Sequence, residues 1–309
     1  MIISISRRTD IPAFFSEWFY NRIEDGYFMV RNPMNIHQVS KVTVTPQNAE
    51  CLVFWTKNPS FSFIENLPKL DEKGFNYYFQ FTITSYAQDI EKSVSRKTEI
   101  IEKFQKLSNQ IGKEKVIWRY DPIILNKKYN FDYHIKYFDY IAEKLSAYTE
   151  KVIISFVDCY SKIKTRLQEN EITDLTQEQM RKLGIALKQI AEKHNLKIES
   201  CSETIDFDDI GIPHGHCIDG ELINRICQRN FIFKKDKTQR NECGCVTSVD
   251  IGSYNTCRHN CAYCYATWNG IIPNSIDNSS PLLGSVLSNE DKVTERKIPV
   301  LKEYNPELF

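Results

Sequence analysis

The chain has no surplus of charge of either sign, since 40 Lys and Arg balance 40 Asp and Glu over 309 residues. Without a net field nothing steers the whole molecule toward phosphate backbones or anionic lipid, so a nucleic-acid partner requires a local basic patch. Long apolar runs are missing as well: none approaches the ~20 residues that span a bilayer. Met1-Ile2-Ile3-Ser4-Ile5-Ser6-Arg7-Arg8 holds no basic stretch ahead of a long apolar segment. Internal repeats, a collagen-like period and heptad arrays are absent. These absences predict a cytoplasmic protein with no membrane partner. Its ten cysteines are then expected to stay reduced and open to metal rather than forming a secreted disulfide framework.

What is present is an alternation of short apolar runs with longer helix-like stretches. Strands are predicted at Ile2 to Ser6, Leu52 to Thr56, Tyr77 to Ile83, Val116 to Tyr120, Val152 to Val157, Lys197 to Ser200 and Val246 to Ile251. Helices are predicted near 13–24, 61–70, 95–111, 132–147 and 176–194. This is the rhythm of a parallel sheet with crossover helices. Phe28 to Asn32 and Val39 to Thr45 break it and read as a hairpin, punctuated by Pro33 and Pro46. The fold class expected is α/β, a TIM-type (β/α) barrel, complete or nearly so, with an open doubly wound sheet as the alternative. Residues 1–242 would form the barrel body, and 243–309 the last strand, a cysteine loop and a tail. The tail, through Asn269-Gly270, Pro273 and Asn274 to Arg296, reads as a loop-rich cover with one short helix, or as a disordered segment.

In a parallel barrel the active site lies at the C-terminal ends of the strands. Polar residues recur there: Ser4, Ser6, Arg8 and Asp10 on one parity; Gln80, Thr82 and Thr84 on another; then Thr56-Lys57-Asn58, Arg119 and Asp121, Ser155 and Asp158, and Glu199, Cys201 and Glu203. Singly, each suits a cap or a turn. As a set they predict a polar cavity, with Arg119, Asp121 and Lys57 as catalytic candidates and Ser6, Arg8, Gln80, Thr82 and Ser155 as cofactor-binding candidates.

Cys257, Cys261 and Cys264 form a CxxxCxYC run behind the strand-like Val249-Asp250-Ile251 and the loop Gly252-Ser253-Tyr254. Three thiolates on one loop suit three irons of a four-iron cluster and leave the fourth open. Zinc with His259 as fourth ligand is the competitor, although structural zinc usually draws its ligands as separated pairs. Cys201, Cys217, Cys243 and Cys245 follow one another upstream. They predict a second, fully ligated iron-sulfur cluster, against zinc on the same ligands or unrelated buried thiols. Cys51, Cys159 and Cys227 read as core residues, and His214 and His216 as donors flanking Cys217, as a metal ligand, or as ordinary loop histidines.

The segment Tyr254-Asn255-Thr256-Cys257 to Tyr265 resembles the cluster loop of the radical S-adenosylmethionine superfamily, in the CxxxCxYCY form found in relatives of spore photoproduct lyase. Nearly the whole chain is similar to a prokaryotic family catalogued as a domain of unknown function. That second likeness runs through Ser6-Arg7-Arg8-Thr9-Asp10-Ile11-Pro12, Phe54-Trp55-Thr56-Lys57-Asn58-Pro59, Trp118-Arg119-Tyr120-Asp121-Pro122 and the cysteine loop.

The superfamily resemblance implies a [4Fe-4S] cluster on Cys257, Cys261 and Cys264. Its open iron would chelate S-adenosylmethionine, with Tyr263 near the adenine, and a reductant such as flavodoxin or ferredoxin would feed it. It further implies reductive cleavage of the sulfonium to a 5′-deoxyadenosyl radical that takes hydrogen from a substrate. In that superfamily the loop follows the first strand, whereas here it follows the last. The expectation is therefore a circularly permuted barrel with Val246 to Ile251 beside Ile2 to Ser6. The Gly-Gly-Glu element that grips the methionine amino group is missing, and Ser6 to Asp10 stand in its place. Lys234, Lys235, Lys237 and Arg240 allow an alternative, nucleic-acid lesion repair, and a non-catalytic iron-sulfur or zinc protein is the third reading.

Overall fold

The computed structural model describes residues 1–268, 276–297 and 301–304. Among the described residues twelve strands are formed: β1 Ile2–Ile5, β2 Tyr27–Asn32, β3 Asn35–Thr43, β4 Cys51–Thr56, β5 Tyr77–Thr82, β6 Val116–Ile123, β7 Lys151–Phe156, β8 Lys197–Ser200, β9 Phe231–Ile232, β10 Ser248–Asp250, β11 Lys292–Glu295 and β12 Lys302–Glu303. The α-helices are α1 Ile11–Phe14, α2 Ser16–Asp25, α3 Phe61–Glu65, α4 Pro68–Lys73, α5 Lys97–Ile111, α6 Phe131–Leu145, α7 Lys164–Glu169, α8 Gln177–Lys193 and α9 Gly220–Cys227.

The seven expected strands form one parallel sheet in the order β10-β1-β4-β5-β6-β7-β8. The last of them in sequence lies beside the first, with Ile2, Ile3 and Ser4 in register with Ser248, Val249 and Asp250. Near-continuous apolar sequence suits strands covered on both faces. Ile3, Ile5, Leu52, Phe54, Phe79, Phe81, Trp118, Tyr120, Val152 and Ile154 pack against the crossover helices. On those helices buried residues recur at helical spacing, Ile100, Phe104 and Leu107 on α5, Phe138, Ile141 and Leu145 on α6, Leu183, Leu187 and Ala191 on α8. A capping box of Thr176 and Gln179 starts α8, and the Asn130 side chain caps α6.

The opposite face gathers Ile2, Cys51, Val53, Tyr78, Ile117 and Ile153 into one cluster with Leu222 and Ile223 of α9. It is concave. Tyr78 and Gln80, on the middle strand β5, donate to the carbonyl oxygen of Cys217 at 2.8 and 2.7 Å. Cys217 belongs to a segment that runs between the two edges of the sheet: Gly215 N–H bonds Ser200 O on β8 at 2.6 Å, and Val246 N–H bonds Ile218 O at 3.0 Å. Edge and middle of a flat sheet would stand about 14 Å apart. Among the described residues β8 and β10 do not pair with each other.

Several local expectations are corrected. Helix 13–24 is two helices that break at Phe15, and helix 61–70 is also two, the second begun by Pro68 at its first turn. α7 and α9 had no counterpart in the sequence reading. The hairpin is present as antiparallel β2 and β3. Among the described residues the tail forms no helix and carries strand β11, parallel to β3, and Asn269-Gly270, Pro273 and Asn274 lie outside the described residues. No helix among the described residues is long and apolar enough to cross a membrane.

Candidate functional site

All seven parallel strands send residues from their C-terminal ends into one cavity of about 940 Å³. Its walls hold Ser6, Arg8, Lys57, Thr82, Arg119, Asp121 and Ser155, together with Tyr263 and all seven cysteines proposed as ligands. Gln80 does not line it: it donates to Cys217 O at 2.7 Å and accepts from Arg119 Nη1 at 3.4 Å, and Ser4, Asn58, Thr84 and Glu199 of the strand-end set are likewise outside the lining.

The seam between β1 and β10 is closed by a residue the sequence reading did not single out. Asp250 accepts from Ser4 Oγ at 3.0 Å, Ser6 Oγ at 2.5 Å, the Arg7 amide at 2.8 Å and the Gly252 amide at 3.0 Å. The Arg7 and Arg8 guanidinium groups stand 3.8 and 3.9 Å from it. A carboxylate inside an otherwise uncharged strand was the available signal. Gly252 follows so closely that a Cβ there would lie 2.0 Å from Ser6 Oγ.

The cysteine loop is tied to the sheet at many points. Its ends meet through the Asn255 amide and Ala266 O at 2.8 Å. The Ser93 amide bonds His259 O at 3.0 Å, the Ala262 amide bonds Ile90 O at 2.8 Å, and Arg166 Nη2 donates to Cys264 O at 2.6 Å. His259 Nε2 bonds Asp10 Oδ2 at 2.7 Å, so this histidine points at a carboxylate, while its buried Nδ1 has no partner among the described residues.

Glu91 is the second residue missed, and it lies under the loop. It is buried, and its carboxylate accepts from Lys57 Nζ at 2.8 Å, Thr84 Oγ1 at 2.6 Å, Lys97 Nζ and the Tyr263 hydroxyl. Burial alone would raise its pKa, but the ammonium groups of Lys57 and Lys97 outweigh that and hold it well below the usual carboxylate range. Tyr263 thus has its hydroxyl anchored downward, with Lys57 Nζ 5.5 Å from the centre of its ring. No sequence pattern marked Glu91, which sits between regular elements.

On the other wall Arg119 pairs with Asp121 through Nε at 3.0 Å and through Nη2, and its Nη1 donates to Cys217 Sγ at 2.6 Å. Ser155 Oγ bonds the other oxygen of Asp121. Cys217 Sγ lies 3.0 Å from Cys201 Sγ. Cys245 Sγ accepts from the Ile218 amide at 3.3 Å. Bonds from Cys201 and Cys245, then Arg119, push the Cys217 thiol well down. Glu203 accepts from the Phe156 amide at 2.7 Å, and burial raises its carboxyl to about 8. Among the described residues no three Cys, His, Asp or Glu side chains surround a point as the ligands of a single ion would.

Cys51 is buried at the start of β4, away from the cavity, Cys227 Sγ donates to Glu50 O at 3.2 Å, and Cys159 is half-buried. His214 and His216 do not line the cavity. Lys234, Lys235, Lys237 and Arg240 are exposed, and Arg240 pairs with Asp158 at 2.7 Å.

Fold and site together define a parallel α/β protein whose strand ends surround a cysteine-lined cavity. The chain belongs to the family described as Domain of unknown function (DUF1848), whose model matches residues 2–266. That span takes in the whole parallel sheet and the cysteine loop. No curated protein and no solved structure matches it.

Proposed function

We propose that the protein is an iron-sulfur enzyme of radical S-adenosylmethionine type, acting on a substrate held in the 940 Å³ cavity. The observation that carries this reading is the place of Cys257, Cys261 and Cys264, on a braced loop over the C-terminal ends of seven parallel strands. That is where such folds carry chemistry. The sheet is read as a permuted barrel in which residues 213–218 fill the gap between β8 and β10. Pairing of β10 with β1 supports this, because it returns the cysteine loop to the first strand's neighbourhood.

The donor set fits the group. Three sulfurs of one loop face the cavity, and His259, the only histidine within that loop, is turned to Asp10. When bound, the cluster and S-adenosylmethionine supply the electron and the radical chemistry. The chain's own residues bind, orient and exclude water. Asp10 and Glu91 fix the loop. Lys57 uses one ammonium hydrogen on Glu91, which leaves two donors of the three for a carboxylate or other anion in the cavity. Arg119, neutralised by Asp121, stiffens the far wall.

The test is anaerobic reconstitution with iron and sulfide, reduction with dithionite and addition of S-adenosylmethionine. Formation of 5′-deoxyadenosine, a changed cluster spectrum on adding S-adenosylmethionine, and loss of both in Cys261→Ala are the expected results. Reduced protein carrying its full cluster that leaves S-adenosylmethionine intact would overturn the reading.

A further inference from the structure

Cys201 and Cys217 lie 16 positions apart, yet their sulfurs stand 3.0 Å from one another in the cavity wall. Both backbones are pinned. The Cys201 amide donates to Ile154 O on β7 at 2.9 Å, and the Cys217 carbonyl oxygen accepts from Tyr78 and Gln80 on β5. Between the two cysteines the chain returns to β8, where the Gly215 amide bonds Ser200 O at 2.6 Å. A Cβ at position 215 would stand 2.7 Å from Glu199 Cβ and 3.1 Å from Ser200 O, so only glycine lets this segment lie against the strand that leads into Cys201.

The distance between the sulfurs separates the roles open to them. A disulfide would bring them to about 2.05 Å. Two ligands of one zinc stand ~3.8 Å apart, since Zn–S bonds of about 2.3 Å point to the corners of a tetrahedron. Ligands of one [4Fe-4S] cluster each sit on a different iron and do not touch. At 3.0 Å the pair is closer than carbon atoms pack, ~3.5–4.0 Å, and both thiols are free. This is a reduced dithiol about 1 Å short of a disulfide. Its two members are unlike. Cys217 is 2 % exposed and its sulfur takes a hydrogen bond from Arg119 Nη1 at 2.6 Å, whereas Cys201 is half-buried and can be reached from the cavity. In thiol–disulfide exchange the reachable sulfur meets the outside disulfide and its neighbour closes the bond.

We infer that Cys201 and Cys217 form a redox-active dithiol that exchanges with low-molecular-weight disulfides entering the cavity. Cys201 Sγ attacks one sulfur of the incoming R–S–S–R. That bond breaks, one R–SH leaves with the proton given up by Cys201, and a mixed disulfide remains on Cys201. Cys217 Sγ then attacks Cys201 Sγ, the mixed bond breaks, and the second R–SH leaves with the Cys217 proton. Two cysteine thiols lose two electrons and one external disulfide gains them; excess small thiol runs the same steps backward. The partner is small because a pair set in the wall of a 940 Å³ cavity, with one sulfur almost fully covered, admits a small molecule and not a folded surface. The inference goes beyond the proposed function and does not depend on it.

Anaerobically purified protein is titrated with mixtures of reduced and oxidised glutathione, the remaining thiols are blocked with N-ethylmaleimide, and unreduced peptides are mapped by mass spectrometry. One peptide pair joined through Cys201 and Cys217 is expected, complete in oxidised glutathione and reversed by excess reduced glutathione. Cys217→Ser is expected to retain glutathione on Cys201, because the sulfur that would displace it is gone. C243A/C245A is expected to form the same cross-link, with circular dichroism as the folding control. Cys201 and Cys217 that stay blockable at every ratio overturn the inference, as does a bond from either to Cys243 or Cys245, or thiols that react only after iron or zinc is stripped out. Should a variant fail to fold, the wild-type map alone decides. Cleavage of S-adenosylmethionine, measured separately, judges the proposed function and leaves the cross-link untouched.

Discussion

Asp10 and His259 meet at 2.7 Å across 249 positions of sequence. The same carboxylate accepts from the Lys57 amide at 2.7 Å and from the Ala13 amide at 3.0 Å, where it caps α1. One short side chain therefore joins the first strand's loop, the end of β4 and the cysteine loop.

Asp10→Ala removes a helix cap, worth about 1 kcal/mol, and leaves buried donors unpaired at about 1–3 kcal/mol. A destabilisation of roughly 2–4 kcal/mol in denaturant unfolding is expected, with faster hydrogen exchange at the Ala262 amide. Unchanged exchange there would mean that Asp10 does not hold the loop.

Glu91→Gln keeps the shape and removes the charge that Lys57 and Lys97 share. Breaking a buried ion pair from one side costs about 3–5 kcal/mol, so unfolding should shift by roughly that amount. Adding Lys57→Met removes one of the stranded charges and should recover part of it. A double variant no more stable than Glu91→Gln would count against the pairing.

Arg119→Met removes a cationic donor from the Cys217 sulfur. Asp121 loses its ionic partner and one N–H donor, so denaturant unfolding is expected to shift by about 1–3 kcal/mol. Lysine should not substitute fully, because it lacks the planar fork that holds Asp121 and Cys217 together.

His134 is buried between Tyr120 Oη and Ile124 O, at 2.8 Å each. Burial pushes its imidazole down to about 4, from about 6.5 in the unfolded chain. The unfolded state thus binds the extra proton first. Stability supported by the neutral ring is complete above about pH 6.5 and is lost as pH falls toward 4, by about 2 kcal/mol at pH 5. Urea unfolding at pH 7.5 and pH 5 checks this, and His134→Gln should flatten the difference.

The parallel sheet was legible because β4 to β7 are apolar runs with crossover helices between them, a pattern set by local burial. The pairing of β10 with β1 was legible through the cysteine loop's resemblance. The broken helices were not, because the turn at Phe15 carries no glycine or proline of its own. α9 escaped because its apolar face is only Leu222, Ile223 and Ile226. At the site, the strand-end residues followed from parity, whereas Glu91 and Asp250 are defined by partners distant in sequence, which no local period encodes.

The β1 to β10 seam also governs how the chain is made. During synthesis β1 emerges long before its outer neighbour, which follows only when residues 248–250 leave the ribosome. Until then the first strand presents a bare hydrogen-bonding edge, the kind of surface on which nascent chains aggregate. Contacts so remote in sequence also slow folding, so this protein's yield in a cell should depend on chaperone supply more than its stability would suggest.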